Sequence, residues 1–251
     1  MNGLVRGSVV GSDTEVHIKR DGINALVVPE WAEQFDPGWF DPDYWGERVV
    51  PVSSGGRGSA WFVERTGQDW VLRHYRRGGL ISRLSAEAYI YGGERQVRSL
   101  REFRMLQRMK EMRLPVPKPV AASYCRHGLF YQASIIIERL ESVTPWGELL
   151  SGNVGAGDSW ERVGQALRSF HVEGVYHADL NCFNVMMASN RVYLIDFDRG
   201  EFRPLPRTLG AGWHASNLSR LYRSLAKTLA GCKAEGELAS GWERLREAYF
   251  S

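Results

Sequence analysis

The sequence has little cysteine. Cys125, Cys182 and Cys232 are odd in number, far apart and without a C-x-x-C pair. That pattern predicts a reducing compartment and no structural zinc. Long apolar runs are missing as well. The longest, Ala133–Ile137, is interrupted by a serine and is too short to span a bilayer. The first nineteen residues lack the apolar core of a signal peptide. These absences predict a cytosolic chain whose membrane association, if any, is peripheral. There is no internal repeat and no low-complexity tract, and lysine is absent between Lys19 and Lys110.

What is present is enough apolar material, 43% of 251 residues, for one large domain or two lobes. The formal net charge is only +3, yet residues 73–113 hold eleven Arg or Lys against four Glu. A basic block on an otherwise mildly acidic chain points to an anionic partner, or else to a solvated helix face.

Residues 1–48 are poorly periodic, with aromatics gathered at Trp31, Phe35, Trp39, Phe40, Tyr44 and Trp45. A glycine-rich stretch, 53–59, and two strand candidates, 60–63 and 69–75, predict a β-hairpin around a glycine-rich turn. Val97, Leu100, Phe103, Leu106 and Met109 form one apolar stripe and predict a helix over 95–112. A strand is expected over 131–139 and a connector over 140–157. Asp158 and Glu161 fit a capping box opening a helix to about His171. Strands at 185–187 and 192–197 and helices over 216–229 and 238–249 complete the pattern. Strand-rich first half and helical second half predict a bilobal α+β fold, lobes 1–140 and 141–251.

The strongest chemical signal is His177-Ala178-Asp179-Leu180-Asn181-Cys182-Phe183-Asn184, which matches H-x-D-L-x-x-x-N. In that pattern the acid orients the proton of an attacking hydroxyl. The amide five residues later turns back to a metal between phosphates. Asp196 follows Asn184 by twelve residues and ends an apolar strand, where it can supply a second metal ligand. An isolated H-x-D is more often a surface turn; both motifs in order, with a strand between, argue for phosphoryl transfer. Asp179 is thus the candidate catalytic residue, Asn184 and Asp196 the candidate Mg²⁺ ligands, and ATP the expected cosubstrate. Gly56 and Gly58 resemble part of a glycine-rich phosphate loop, although Trp61 stands where a third glycine would be. In Trp70-Val71-Leu72-Arg73, arginine occupies the expected lysine position, with Glu102 its natural partner.

Together these features give the expected fold a name: a protein-kinase-like fold. Arg73-His74-Tyr75-Arg76-Arg77-Gly78-Gly79-Leu80, with 98–103, Leu114-Pro115-Val116-Pro117 and 40–45, resembles bacterial 3-deoxy-D-manno-octulosonic acid (Kdo) kinases. Arginine at the lysine position belongs to that family's pattern. The resemblance implies ATP-dependent phosphorylation of the 4-hydroxyl of Kdo on a lipid A precursor. It places the enzyme peripherally on the cytoplasmic face of the inner membrane, against an anionic surface. His74, Arg76, Arg77 and Arg83 are candidates for acceptor contact. The aromatic stretch 31–45 either packs on the small lobe or touches the membrane interface.

Alternatives remain open at this point. Only 55 residues follow Asp196 and no A-P-E motif appears, which argues against a protein kinase. A heptose or small-molecule kinase would share the catalytic loop. A pseudokinase would fit the missing lysine and third glycine. A pI of about 8.8 without a nucleic-acid motif argues against a nucleic-acid partner. No protein partner is implied.

Overall fold

The computed structural model describes residues 8–11, 14–52, 59–75, 89–152 and 157–251. The chain divides into two compact units, Met1–Gln107 with Pro117–Arg139, and Arg108–Val116 with Leu140–Ser251.

The first unit contains strands β1 (Ser8–Gly11), β2 (Val16–Arg20) and β3 (Ile23–Val27), and the short helix α1 (Pro29–Ala32). Strands β4 (Val49–Pro51), β5 (Ala60–Val63), β6 (Trp70–His74) and β7 (Tyr89–Ile90) follow. Helix α2 (Arg98–Glu111) precedes strands β8 (Pro119–His127) and β9 (Phe130–Glu138). Among the described residues these nine strands make one antiparallel sheet, ordered β1-β2-β3-β8-β9-β6-β5-β4, with β7 on β9. The N-terminal stretch is therefore not irregular. Asp21 and Gly22, with φ of 51° and 77°, close a two-residue hairpin between β2 and β3. Positive φ at both central residues matches the strand twist, and Asp-Gly accommodates it. The glycine-rich stretch leads from β4 into β5, so β5 pairs on one side with a strand not foreseen and on the other with β6.

The aromatic segment is the plug of this unit. Asp36 accepts the N–H of Gly38 at 2.7 Å and Asp41 that of Asp43 at 3.0 Å, each starting a 3₁₀ turn. Those turns fold Phe35, Trp39, Phe40 and Trp45 into a buried cluster with Trp70, Leu72, Val120 and Ile136. The Trp45 indole donates to the Trp39 carbonyl at 3.0 Å. The Arg65 guanidinium lies 4.2 Å from the Trp31 ring and 4.5 Å from that of Trp70. Of the six aromatics of this stretch only Tyr44 is largely exposed. The stretch packs on the small lobe.

The second unit opens with β10 (Thr144–Pro145) and α3 (Trp146–Ser151), followed by α4 (Ser159–Val172) and β11 (Val175–Tyr176). Next come β12 (Val185–Met187), β13 (Val192–Leu194), β14 (Glu201–Phe202), α5 (Trp213–Leu229) and α6 (Leu238–Phe250). The expected connector 140–157 thus contains a strand and a helix, because Trp146 is fully buried edge-on to Trp160 at 4.9 Å. The expected capping box does not form. Asp158 makes no capping hydrogen bond, and Glu161 pairs with Arg244 at 3.2 Å. Helices α4 and α6 meet closely at two glycines. A Cβ on Gly164 would sit 2.2 Å from the Leu245 carbonyl, and one on Gly241 would sit 2.2 Å from the Trp160 ring. Among the described residues no helix is long and apolar enough to cross a membrane.

Candidate active site

In the second unit, residues 177–184 connect β11 to β12 as an irregular loop fixed by hydrogen bonds and by the fully buried side chains of Leu180 and Cys182. His177 is buried, and its ring bridges two backbone groups. The N–H of Asp179 donates to Nδ1 at 3.1 Å, which leaves Nε2 to donate to the Ile195 carbonyl at 2.9 Å. The two partners fix one neutral tautomer. Burial, the largest influence, holds the His177 pKa below its usual value, which keeps the ring uncharged. Its role is structural. It ties the loop to the segment that carries Asp196.

Asn181 works the loop from inside. Its Oδ1 accepts the N–H groups of Phe183 at 2.9 Å and Asn184 at 3.1 Å, and its Nδ2 donates to the Asp179 carbonyl at 3.1 Å. Asn184 Nδ2 also donates to that carbonyl, at 2.9 Å. The Asp179 side chain is left 55% exposed, with its Oδ2 3.4 Å from Asn181 Nδ2.

Strands β12 and β13 pair antiparallel, and the ladder continues one step further, the Ile195 N–H donating to the Asn184 carbonyl at 3.1 Å. This brings Asn184 and Asp196 to neighbouring positions. Asp196 adopts φ of 63°, a left-handed conformation that turns the chain away from the strand direction. The donor set is one amide oxygen and one carboxylate. Asn184 spends its nitrogen on Asp179, so its Oδ1 is the atom available to a ligand. Hard oxygen donors in this small number suit Mg²⁺, which takes one or two side chains and completes its shell with phosphates and water. Among the described residues no group of three or more His, Cys, Asp or Glu forms a metal cage.

Helix α5 contributes residues that motif spacing does not reveal. Asn217, 1% exposed, binds both peptide atoms of His177: Nδ2 donates to its carbonyl at 2.8 Å, and Oδ1 accepts its N–H at 3.2 Å. Ser224 Oγ accepts the Cys182 N–H at 3.2 Å. Behind Asn217, His171 stacks on His214 at 4.5 Å and meets the Tyr249 hydroxyl at 2.7 Å through Nδ1. Burial pushes the His171 pKa down to about 3. The available signal was two polar residues, His214 and Asn217, on the otherwise apolar face of an amphipathic helix.

In the first unit, period-two alternation along β6 sends Trp70 and Leu72 into the aromatic cluster and Arg73 to the opposite face. There Arg73 is joined to Glu102 of α2, which is 3% exposed, and Tyr75 donates to the same carboxylate at 2.5 Å. A buried carboxylate holding an arginine of 19% exposure fixes a cation in one orientation. His74 points the other way, Nε2 at 2.8 Å from the Phe40 carbonyl and its ring 4.8 Å from Trp61. Some of the basic block is structural: Arg104 forks onto Glu15 at 2.9 and 3.1 Å, and Arg98 lies 4.7 Å from the Tyr89 ring. Gly56, Gly58, Arg76, Arg77 and Arg83 lie outside the described residues.

A strand-rich unit that carries a fixed cation and a helical unit that carries the Asp179 loop define a protein-kinase-like phosphotransferase. A sequence model described as the lipopolysaccharide kinase (Kdo/WaaP) family matches residues 42–249, and the chain belongs to that family. It is 45% identical to a 3-deoxy-D-manno-octulosonic acid kinase of Xylella fastidiosa (strain M12), over 86% of this chain and 85% of the relative. It is 42% identical to the enzyme of the same name from Stenotrophomonas maltophilia (strain K279a), over 91% and 90% of the two chains. Among solved structures, WaaP in complex with acyl carrier protein is similar in fold, with a TM-score of 0.52 and 16% identity over 90% of this chain and 99% of that one. Membership of this family implies use of ATP.

Proposed function

We propose that the protein transfers the γ-phosphoryl group of ATP to the 4-hydroxyl of Kdo on a lipid A precursor. The observation that carries the reaction type is the set of backbone ties around Asp179. His177, Asn181 and Asn184 hold its main-chain N–H and carbonyl with three hydrogen bonds while its carboxylate remains 55% exposed. The acceptor follows from the likeness to relatives named Kdo kinases, at identities of 42–45% over most of both chains.

In this reading Asp179 orients the sugar hydroxyl and takes up its proton. Asn184 and Asp196 hold Mg²⁺, which when bound neutralises phosphate charge. Arg73, kept in place by Glu102, steadies the nucleotide phosphates as a planar fork. The sequence assigns Gly56 and Gly58 to those phosphates and Arg76, Arg77 and Arg83 to acceptor contact, whereas the His74 ring is taken up by the Phe40 carbonyl and Trp61. Catalysis is then positioning and charge stabilisation, with little covalent work for the protein. A lipid-linked acceptor bearing phosphates and a carboxylate brings the enzyme to the cytoplasmic face of the inner membrane, where exposed Arg101 and Arg108 meet an anionic surface.

The test is transfer from labelled ATP, with Mg²⁺, to a Kdo-bearing lipid A precursor, a heptose-bearing core or a peptide. Label is expected on the first alone. Asp179→Ala should lower kcat at least about 10²-fold with the fold intact. Transfer to heptose instead of Kdo would overturn the acceptor, and near-normal turnover without Asp179 would overturn the mechanism.

A further inference from the structure

The catalytic loop offers no cation of its own. Asn181 stands where a serine/threonine kinase loop carries lysine, and its amide is spent within the loop, on the N–H groups of Phe183 and Asn184 and on the carbonyl and carboxylate of Asp179. Helix α5 supplies the charge instead. It is fastened to the loop at two places, at His177 through Asn217 and at Cys182 through Ser224. Thr228 adds a contact to the Cys182 sulfur at 3.4 Å. Residues 217, 220, 224 and 228 recur every three or four positions and share one side of the helix. Arg220 therefore falls between the two fastenings, as Asp179 does in the loop. Its guanidinium lies 3.7 Å from Asp179 Oδ1, close enough for charge attraction but too far for a hydrogen bond.

We infer that Arg220 is a second catalytic residue, a fixed cation that binds an oxyanion beside the hydroxyl oriented by Asp179. The inference rests on the proposed role of Asp179. Arg220 is 42% exposed, has that carboxylate as its ion-pair partner and donates no hydrogen bond among the described residues, so its five N–H donors are available to an oxyanion. Phosphoryl transfer spreads negative charge over the three equatorial oxygens of the moving group. A donor fork set there in advance stabilises that charge without reorganising. The transferred phosphoryl group and the carboxylate of the acceptor sugar present the same oxyanion chemistry. The position next to Asp179 favours the phosphoryl group. The anchoring of α5 fixes the backbone from which Arg220 reaches toward Asp179.

The experiment compares full-length wild type with Arg220→Gln, Arg220→Lys, Arg223→Gln and Asp179→Asn, each checked by thermal melt. The acceptors are a Kdo-bearing lipid A precursor and its Kdo methyl ester. Arg220→Gln should lower kcat about 10²-fold with the KM for ATP within about twofold, and Arg220→Lys should recover about tenfold of it. Arg223, one turn on and held by Ser219 at 2.9 Å, should tolerate glutamine with kcat within about twofold. An equal deficit on both acceptors assigns the oxyanion to the transferred phosphoryl group. A deficit that vanishes on the ester assigns it to the sugar carboxylate. The inference falls if folded Arg220→Gln keeps its kcat and both KM values. It also falls if lysine does no better than glutamine, or if Arg223→Gln loses as much. An active Asp179→Asn would remove the proposed role of Asp179 on which this inference rests; an inactive one beside a normal Arg220→Gln would remove only this inference.

Discussion

Asn217 is the residue whose loss is most informative, because it touches no substrate and yet holds the catalytic loop. Replacing it with leucine keeps the volume and removes both hydrogen-bonding ends. The His177 N–H and carbonyl, now at 3.2 and 2.8 Å from the Asn217 side chain, would then be buried without partners. Each stranded group costs about 1–3 kcal/mol, so the pair is expected to cost about 2–6 kcal/mol. For a chain of this size that corresponds to a fall in Tm of about 4–24 °C.

The kinetic consequence is separable from the thermal one. Asp179 is two residues from His177, and a shift of about 1 Å in a catalytic group can cost about 10²-fold. Asn217→Leu, assayed well below its own Tm, should therefore lose kcat while its KM for ATP stays near wild type. Differential scanning calorimetry and steady-state transfer assays on the same preparation measure both effects. A Tm within about 1 °C of wild type together with kcat within about twofold would refute the account, since the lost bonds would then carry nothing.

Two further outcomes are expected. His171 has a folded pKa near 3 because of burial, against an unfolded value near 6.5, so the unfolded chain binds the extra proton first as pH falls. Its stabilising contribution is complete above about pH 6.5 and is lost toward pH 3; between pH 7.5 and 5.5 the loss is about 1.4 kcal/mol. His177, lowered for the same reason, acts in the same direction. Urea midpoints should fall over that interval, and an equal or higher midpoint at pH 5.5 would contradict the buried neutral rings. Glu102→Gln should raise the KM for ATP about tenfold by freeing Arg73, about 1.4 kcal/mol of binding, with a smaller change in kcat. An unchanged KM for ATP would detach Arg73 from the nucleotide.

Much of the fold could be read from the chain because its signals are local. The stripe from Val97 to Met109 is a helix, the paired strands around residues 185–194 form, and Asp179 and Asn184 lie where their spacing puts them. Other local signals were present but outweighed. Asp21-Gly22 is a strong hairpin dipeptide, but β3 after it ends in an apolar run, Ala25-Leu26-Val27, instead of an alternation. Asp158 and Glu161 had the right spacing for a capping box, yet Arg244 of α6 draws the glutamate away. Tertiary partners decided that outcome, and no window around residue 158 contains them.

The candidate site divides along the same line. Chemistry packed into eight residues, 177–184, can be found by spacing. The residues that orient it cannot, because Asn217 and Ser224 bind peptide groups 40 and 42 positions away, and a backbone atom leaves no mark on composition. Arg73 lies on the boundary. Its partner Glu102 is 29 positions distant, but both sit on regular elements whose faces can be worked out from period two and period 3.6. Arg220 belongs wholly to the hidden class. In sequence it is one of three basic residues in α5, with nothing to separate it from Arg223 or Lys227. Only the two fastenings on either side of it distinguish it. A helix bonded to the loop at His177 and Cys182 has one exposed position level with Asp179, and that position is an arginine.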